Sequence, residues 1–520
     1  MPMLTDSSKN TQRIPPVPQA LKTLRLPEVG LGALLVLPWL NPYTSGPTPS
    51  VWPWLMSAFC AVFLWLFQRR LHGGLIATTW VLAAAVSTAI GLLQYFGWAH
   101  LLHPWVSQTG LGEAFGNLRQ RNQFATLTSI GLVALIALLA RRTPAQPIPW
   151  SASLAMALLA LGNAASSSRT GLLQWLLIAA LSAWWFWPQR RDLLVFALQA
   201  LLAYGAAVLI LPWVLEATTG HSGGLFDRLV TPAGCSSRMV LWSNVLTLIA
   251  QKPWFGWGWG ELDYAHFITL YPGPRFCEIL DNAHNLPLHL AVELGLPVTL
   301  AFCAGLGWLV WRAKPWRDTD PLRQMAWGVL AVIGLHSLVE YPLWYGPFQI
   351  AAALCAGLLW VGRAESRAAP TIANLVNADP AESAPVPPAP GYLRLLAATV
   401  MSGALSAAAL SYHEASQIYL LPAQRSPFYR DDTLNKIRGN WLFQSQVRFA
   451  ELSMTTLTPD NAADVYAMAA DMLHYSPEPR VIEILIESAV MLGQEDEALD
   501  YMIRYRAAFS AEHARWSKDM

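Results

Sequence analysis

The stretch DNAHNLPLHLAVELG, from Asp281 to Gly295, decides how this chain is interpreted, because it places polar side chains at the start of an apolar segment. It follows the longest loop between predicted membrane segments, and polar groups at the edge of the hydrocarbon region are costly without a partner or a function. Asp281 or Asn282 is expected to cap a helix whose first turn contains His284 and Asn285.

The same stretch predicts a proton acceptor at the membrane surface. The spacing of Asn285, His289 and Glu293 keeps polar groups on one face of the predicted helix. The positive end of the helix dipole disfavours an imidazolium, so His284 is expected to be neutral and able to accept a proton. The alternative is a histidine that only hydrogen-bonds within a helix bundle. The residues described below favour the functional interpretation.

The composition predicts an all-α polytopic membrane protein. Of 520 residues, 54% are hydrophobic and only 13% are charged, which excludes an ordinary soluble protein of this length. The net charge of +1 gives no indication of nucleic-acid binding. Apolar runs long enough to cross a bilayer predict about eleven transmembrane helices. These runs cover residues 28–41, 52–68, 74–96, 122–140, 148–165, 170–187, 192–214, 285–311, 325–340, 343–361 and 393–411.

Basic residues predict the orientation of these spans. If the spans alternate, the main basic pairs and clusters fall on one side, which the positive-inside rule makes the cytoplasm. Residues 1–27 are then a cytoplasmic segment without the features of a cleavable signal peptide. The loop 215–284 and the C-terminus face outward. The basic positions are Lys22, Arg25, Arg69, Arg70, Arg141, Arg142, Arg190, Arg191, Arg312, Arg317, Arg363 and Arg367.

Composition divides the rest of the chain into three parts. Residues 28–361 form the main membrane domain, and residues 362–392 are rich in proline and alanine and predict a flexible cytoplasmic linker. A last span at 393–411 leads to residues 412–520, where helical periodicity predicts an outward domain of helical hairpins that resembles tetratricopeptide units. This domain is expected to dock on the membrane domain. A packing role and a partner-binding role both remain open.

The cysteines predict one disulfide bond. Cys60, Cys303 and Cys355 lie within predicted spans, whereas Cys235 and Cys277 share the outward loop, where an oxidising compartment permits a bridge. Two free thiols are the alternative. The cysteine and histidine spacings do not match a structural zinc site, so no bound metal is expected.

Several outward turns contain polar residues that depart from the charge rule for short loops. A single arginine in such a turn is commonly a headgroup anchor. Together with His284, these residues predict one outward cavity, with guanidinium groups for an anionic diphosphate and amides and carboxylates for sugar hydroxyls. The candidates are Arg119, Gln120 and Asn122, Arg169, Arg238, Asn285 and Glu293, and His336, Glu340, Tyr341 and Tyr345.

In this order the motifs resemble those of the bacterial O-antigen ligase and polymerase superfamily. They are QxN at the fourth span, SRxG, RxxxW followed by PWFGWGWG, HNxxL with ExG, and HSLVEYPLWY. The chain is most similar to the branch of protein O-oligosaccharyltransferases. The resemblance runs from about residue 28 to the C-terminus.

The resemblance implies roles for individual residues. It makes His284 the base for the acceptor hydroxyl, and Arg169 and Arg238 the groups that bind the leaving diphosphate. Gln120 matches the glutamine of the QxN element, although Arg121 stands where the family usually has proline. Tyr341 or Tyr345 matches the tyrosine of the HSLVEYPLWY turn.

The resemblance also implies a function. The chain is expected to transfer an oligosaccharide from undecaprenyl diphosphate to Ser or Thr of pilin-like proteins, with its site on the periplasmic side of the bacterial inner membrane. No cofactor and no metal are expected, because arginines can stabilise the diphosphate. A single attack at the anomeric carbon inverts its configuration. The alternatives are a ligase for lipid A core, an O-antigen polymerase, and a transporter of the lipid-linked glycan.

Overall fold

A computed structural model describes residues 26–144, 146–221, 234–368 and 391–519, and their regular structure is helical. The predicted N-terminal segment lies almost wholly outside the described residues, as do residues 369–390 of the predicted linker and part of the loop 215–284. The two ends of the predicted linker, 362–368 and 391–392, are helical. In the first part of the chain the helices are α1 (Leu26–Leu40), α2 (Val51–Leu66), α3 (Gly73–Tyr95), α4 (Arg121–Ala140), α5 (Trp150–Ala165), α6 (Arg169–Phe186) and α7 (Arg191–Thr219).

The second part begins with two helices of the long loop and returns to apolar helices. These are α8 (Arg238–Gln251), α9 (Leu262–Ile268), α10 (Leu286–Leu294), α11 (Leu296–Ala313), α12 (Pro321–Ser337), α13 (Gly346–Ala368) and α14 (Gly391–Ser416). The C-terminal helices are α15 (Thr433–Ile437), α16 (Gln444–Met454), α17 (Ala462–Leu473), α18 (Pro479–Met491), α19 (Glu495–Ala508) and α20 (Ser510–Asp519).

The apolar runs of the sequence correspond to these helices, with one break. The run 285–311 is divided into α10 and α11 at Gly295, whose φ of 84° is in the region that glycine tolerates. Among the described residues, five segments are long and apolar enough to cross a membrane. They are Gly73–Tyr95, Arg121–Ala140, Arg191–Thr219, Leu296–Arg317 and Gly391–Tyr419.

Helix α4 lies at the centre of the apolar bundle. Of its most apolar stretch, 89% is buried, and it packs against α3, α5, α6 and α12. In contrast, the corresponding stretches of α11 and α14 are each only 6% buried, as expected for helices that face lipid. Polar side chains that need to be shielded from lipid are therefore best placed on α4 and its neighbours.

The C-terminal helices pack against the long loop. Phe267 of α9 belongs to the same buried apolar cluster as the core residues of α17, α18 and α19. The ring of His474 stacks on Tyr264 with centroids 3.8 Å apart, and its Nδ1 lies 2.6 Å from the Glu261 carboxylate. Arg504 donates to the backbone carbonyl of Ile268. The loop therefore lies between the bundle and the C-terminal helices.

A disulfide joins Cys235 to Cys277, with Cα atoms 5.5 Å apart. The bridge ties the segment that precedes α8 to the segment that precedes α10. Because α8 begins at Arg238, the bridge restrains the position of that arginine.

We predict that Cys235 and Cys277 resist a thiol reagent in denatured, unreduced protein, whereas Cys60, Cys303 and Cys355 react. Peptide mass spectrometry before and after reduction measures this difference. In the control variant Cys235→Ser, Cys277 should become reactive without reductant. Modification of Cys235 or Cys277 in most unreduced wild-type molecules would contradict the bridge.

Candidate active site

The Glu340 carboxylate is the centre of the polar cluster that the structure assembles. It lies in the turn between α12 and α13 and is only 4% exposed. One oxygen, Oε1, accepts from the Asn122 amide at 3.0 Å and from the Arg238 guanidinium. The other, Oε2, accepts from the Gln120 amide at 3.1 Å and lies 2.8 Å from Nδ1 of His284. Four side chains from three distant parts of the sequence thus converge on one buried acid.

These contacts keep the acid ionised. Burial on its own raises the pKa of Glu340, but the hydrogen bond from His284 and the positive charge of Arg238 lower it below its usual range. An ionised carboxylate can only accept hydrogen bonds, so Nδ1 of His284 is the donor in this contact. The other ring nitrogen, Nε2, is then the position that can take up a proton. The His284 side chain is 26% exposed, which leaves the ring accessible to a substrate.

The turn that carries His284 differs from the sequence prediction. Helix α10 begins at Leu286 and is capped by Asn285, whose side chain accepts from the Leu288 amide at 3.0 Å; neither Asp281 nor Asn282 caps it. The predicted first-turn position of His284 is therefore wrong. Asn282 instead accepts from the backbone amide of His284 at 2.8 Å.

His284 itself has a φ of 49°, a left-handed conformation that is rare for residues other than glycine. The turn is fixed on both sides, since Trp242 donates to the Ala283 carbonyl at 3.1 Å and Asn285 donates to the Leu338 carbonyl at 2.9 Å. The nearest charged partner of the imidazole is the Glu340 carboxylate. His284 thus lies just before the cap of the helix, with its Nδ1 2.8 Å from the Glu340 carboxylate.

A second layer of buried hydrogen bonds, centred on Thr126, lies behind the cluster in the helix bundle. The Thr126 hydroxyl donates to the Asn122 carbonyl and accepts from the Gln174 amide, both at 2.8 Å. His336 is fully buried, and its Nδ1 lies 2.8 Å from the same hydroxyl. Because the hydroxyl proton is already donated, Nδ1 of His336 is the donor here. His336 was predicted to line the cavity, but it lies beneath the cluster.

Helix α6 joins the cluster through its first turn. The Ser168 hydroxyl donates to Oδ1 of Asn122 at 2.7 Å and also caps α6. Asn122 therefore bridges Ser168 and Glu340. Arg169, the first residue of α6, has an exposed side chain next to this bridge.

The predicted arginines occupy different environments. Arg238 contacts Glu340 while its side chain remains 41% exposed, so it can also meet a ligand. Arg121 pairs with Glu113 at 2.9 Å and lies over the Phe115 ring. The replacement of proline by Arg121 thus does not prevent the neighbouring Gln120 from reaching Glu340. Arg119 is exposed in the turn before α4.

Aromatic side chains of the turn between α12 and α13 pack beside His284. Tyr341 meets the imidazole edge to face at 5.0 Å, and its ring stacks on Tyr345 at 6.1 Å. Burial raises the pKa of Tyr341 beyond its usual range, so this phenol stays neutral and offers a hydrogen bond. The two tyrosines and His284 give the cluster an aromatic wall.

Glu293 is not part of this cluster, although the sequence suggested a substrate-binding role. It is only 2% exposed, and its Oε1 accepts from the Gly260 amide at 3.0 Å. Backbone atoms of the same turn add two more bonds, from Trp257 to the Val292 carbonyl at 2.8 Å and from Gly258 to the Glu293 carbonyl at 3.1 Å. Glu293 therefore holds the PWFGWGWG loop.

Sequence analysis missed the supporting residues Thr126, Gln174 and Ser168. Thr126 follows Asn122 by four residues, which places both on one face of α4, and this spacing is the signal that could have identified it. Gln174 and Ser168 have no comparable signal, because their contacts cross between helices that are far apart in sequence.

Comparisons with known proteins agree with the motifs. Residues 154–303 match the family described as O-Antigen ligase, residues 114–139 match Protein glycosylation ligase, and residues 324–520 match Virulence factor membrane-bound polymerase, C-terminal. Together these matches include the segments that carry Gln120, Arg169, Arg238, His284 and Glu340.

Three curated relatives were found. The chain is 24% identical to a general O-oligosaccharyltransferase of Acinetobacter baylyi, covering 53% of this chain and 49% of the relative. It is 25% identical to a ComP-specific O-oligosaccharyltransferase of the same organism, covering 57% and 54%. It is 28% identical to an O-antigen ligase of Pseudomonas aeruginosa, covering 54% and 59%.

The chain spans about half the length of the curated relatives it matches. The three family matches together contain the residues of the polar cluster, and the curated relatives are two O-oligosaccharyltransferases and one O-antigen ligase. By these matches, and by the motifs that form the Glu340 cluster, the chain is similar to O-antigen ligases and O-oligosaccharyltransferases.

Proposed function

We propose that this protein is a glycosyltransferase that moves an oligosaccharide from undecaprenyl diphosphate to Ser or Thr hydroxyls of a periplasmic protein such as pilin. The observation that carries the proposal is the cluster around Glu340, which combines a histidine with an available Nε2 and an arginine that is half exposed. One group can take a proton from an acceptor hydroxyl and the other can bind an anionic leaving group.

The proposed reaction is a single displacement. The acceptor oxygen attacks the anomeric carbon and forms the new glycosidic bond, while the bond from that carbon to the diphosphate oxygen breaks and its electron pair leaves with the diphosphate. The hydroxyl proton passes to Nε2 of His284, and the ionised Glu340 stabilises the imidazolium that forms. Attack opposite to the leaving group inverts the anomeric configuration.

Arg238 and Arg169 are proposed to bind the diphosphate. A guanidinium has five N–H groups. Glu340 accepts from one nitrogen of Arg238, Nη2, so the other N–H groups can bind a ligand. The planar fork of arginine pairs with two phosphate oxygens at once and offsets the charge that develops on the leaving group. Since the diphosphate is already a good leaving group, this reaction is proposed to proceed without a metal or another cofactor.

We further propose the organisation that this reaction requires. About eleven transmembrane helices place the loop 215–284 and residues 412–520 in the periplasm, while residues 1–27 and 362–392 lie in the cytoplasm. The Glu340 cluster lies at the ends of α4, α6 and α12, which agrees with a site at the membrane surface. The C-terminal helices, which resemble tetratricopeptide units, pack on the loop that carries Arg238 and are proposed to present the protein acceptor.

The second candidate function is ligation of O-antigen to lipid A core. The similarity to the O-antigen ligase of P. aeruginosa favours it, and the same histidine and arginines would serve both reactions. An O-antigen polymerase is a close variant. A transporter of the lipid-linked glycan is the non-enzymatic alternative, but transporters typically hold their polar site near the bilayer midplane, between repeated halves.

We predict that the full-length protein adds glycan mass to a pilin-like acceptor when it is supplied with a lipid-diphosphate-linked oligosaccharide. Rough lipopolysaccharide, offered in a parallel reaction, tests the ligase alternative. Intact-mass spectrometry of the protein acceptor and gel mobility of the lipopolysaccharide measure transfer. His284→Ala, which lacks the proposed base, should lose nearly all activity. His100→Ala is the control and should be active, because His100 is exposed and its ring contacts the Gly97 carbonyl and none of the cluster residues named above.

Each outcome of this assay has one interpretation. Mass gain on lipopolysaccharide alone would favour the ligase, and chain growth of the lipid-linked donor would favour the polymerase. Movement of the donor across a membrane without transfer to either acceptor would support the transporter. Full activity of His284→Ala, at normal abundance, would contradict the proposed proton acceptor.

We predict that Arg238→Lys and Arg169→Lys each lower transfer by about tenfold to a hundredfold, because lysine cannot form the paired contact to phosphate oxygens. The initial rate at saturating acceptor is the measurement. Arg121→Lys is the matched control, since Glu113 already holds that guanidinium and a lysine can still pair with it. Normal rates in both lysine variants would require another diphosphate site.

A further inference from the structure

The PWFGWGWG loop, Pro253–Gly260, exposes three large aromatic side chains outside the polar cluster. Trp254 is 70% exposed, Phe255 is 90% exposed and Trp259 is 72% exposed. Soluble domains rarely leave aromatic rings so open on a single turn, and such patches mark a binding surface. The sequence around the loop is also nearly uncharged, because Lys252 is the only charged residue from Met239 to Gly260.

The loop is rigidly attached to the start of a candidate membrane span. The Leu296 amide, at the first position of α11, donates to the Pro253 carbonyl at 2.8 Å. The backbones of Gly256 and Gly295 lie so close to Glu293 and to Trp254, respectively, that a Cβ at either glycine would overlap the neighbouring backbone. This contact therefore requires glycine at Gly256 of the PWFGWGWG motif and at Gly295 of the ExG motif.

This attachment fixes the level of the aromatic rings relative to the membrane. Helix α11 belongs to the candidate span Leu296–Arg317, whose apolar surface is almost entirely exposed and is covered by lipid in a membrane. A loop bonded to the first residue of that span lies where the hydrocarbon meets the headgroups. Tryptophan is enriched at this depth, because its ring is apolar and its N–H is polar.

Helix α8 continues the apolar surface towards the polar cluster. One face is buried against the loop core through Leu241, Val245 and Leu248, whereas Met239 and Leu246 on the opposite side are 78% and 55% exposed. The helix begins at Arg238, which contacts Glu340, and its 14 residues extend about 21 Å towards the loop. The exposed surface thus runs from the cluster to the aromatic rings.

We infer that the Pro253–Gly260 loop and the exposed face of α8 insert into the interfacial region of the lipid bilayer beside α11. The occupant of this surface is lipid, because the surface is continuous with a span that faces lipid. Lys252, exposed and packed over Trp257 with its Nζ 3.9 Å from the ring, then lies among the phosphate headgroups. The anchor holds Arg238 near headgroup level. This inference rests on α11 and does not depend on the proposed function.

Spin-label accessibility in the full-length protein tests this inference. A cysteine replaces Phe255 in a Cys303→Ala background, which removes the exposed native thiol, and the protein is reconstituted in nanodiscs of phosphatidylethanolamine and phosphatidylglycerol. Collision with oxygen, which concentrates in lipid, is compared with collision with a water-soluble nickel chelate. Leu300→Cys, on the exposed face of α11, is the lipid control, and Leu499→Cys, 56% exposed on α19, is the water control.

We expect the ratio of oxygen to nickel accessibility at position 255 to lie well above that at 499 and to approach that at 300. Trp259→Cys repeats the measurement in case the first variant fails to fold. Ratios at 255 and 259 equal to that at 499 would overturn the inference. Protection that arises only when a pilin-like protein is added would also overturn it, because the surface would then bind a protein acceptor.

Discussion

The arrangement of the site depends on one buried carboxylate. An ionised acid that is 4% exposed would cost several kcal/mol if it were left without partners. Glu340 avoids this cost through donors from the start of α4, from the start of α8 and from the turn before α10. Each donor is thereby drawn to the same point, and three segments that are far apart in sequence acquire a common geometry. The geometry of the site therefore follows from the hydrogen bonds and ion pairs that the buried Glu340 carboxylate needs.

The buried helix α4 makes such an arrangement possible within an apolar bundle. Polar groups on a lipid-facing helix would be unsatisfied, whereas α4 is enclosed by four other helices. Thr126 on α4 links to His336, and the backbone amide of Glu340 donates to the His336 carbonyl at 2.8 Å. Helix α4 therefore positions Glu340 in two ways. Thr126 fixes the turn through His336, and the start of the helix supplies the donors Gln120 and Asn122.

Much of the fold could be predicted from the sequence, because apolar length specifies membrane-type helices directly. Of the proposed catalytic residues, the structure joins His284 and Arg238 through Glu340 and leaves Arg169 exposed at the start of α6, beside the cluster. The predicted start of α10 was wrong because Asn282 and Asn285 are equally good helix caps by sequence. The hydrogen bond from Asn285 to the Leu338 carbonyl distinguishes them in the structure. The central role of Glu340 could not be predicted, since its contacts to Gln120 and Asn122 join residues more than two hundred positions apart.

Glu293 shows what helical periodicity in the sequence can and cannot predict. Its spacing from His289 correctly placed both residues on one face of α10, but Glu293 meets the aromatic loop and His289 meets the Trp344 ring. Asn285, the third residue of the pattern, is the cap before the helix. Periodicity identifies which residues share a face of a helix. It does not identify the segment that the face meets.

A double-mutant cycle between Glu340 and His284 tests the central claim most directly. The transfer rates of Glu340→Gln, of His284→Ala and of the double variant are compared at equal abundance in the membrane. If Glu340 acts by holding His284 and stabilising its imidazolium, Glu340→Gln should lower the rate by about a hundredfold or more. In the His284→Ala background the same substitution should leave the small residual rate almost unchanged. A near-normal rate for Glu340→Gln, or losses that simply multiply in the double variant, would contradict the claim.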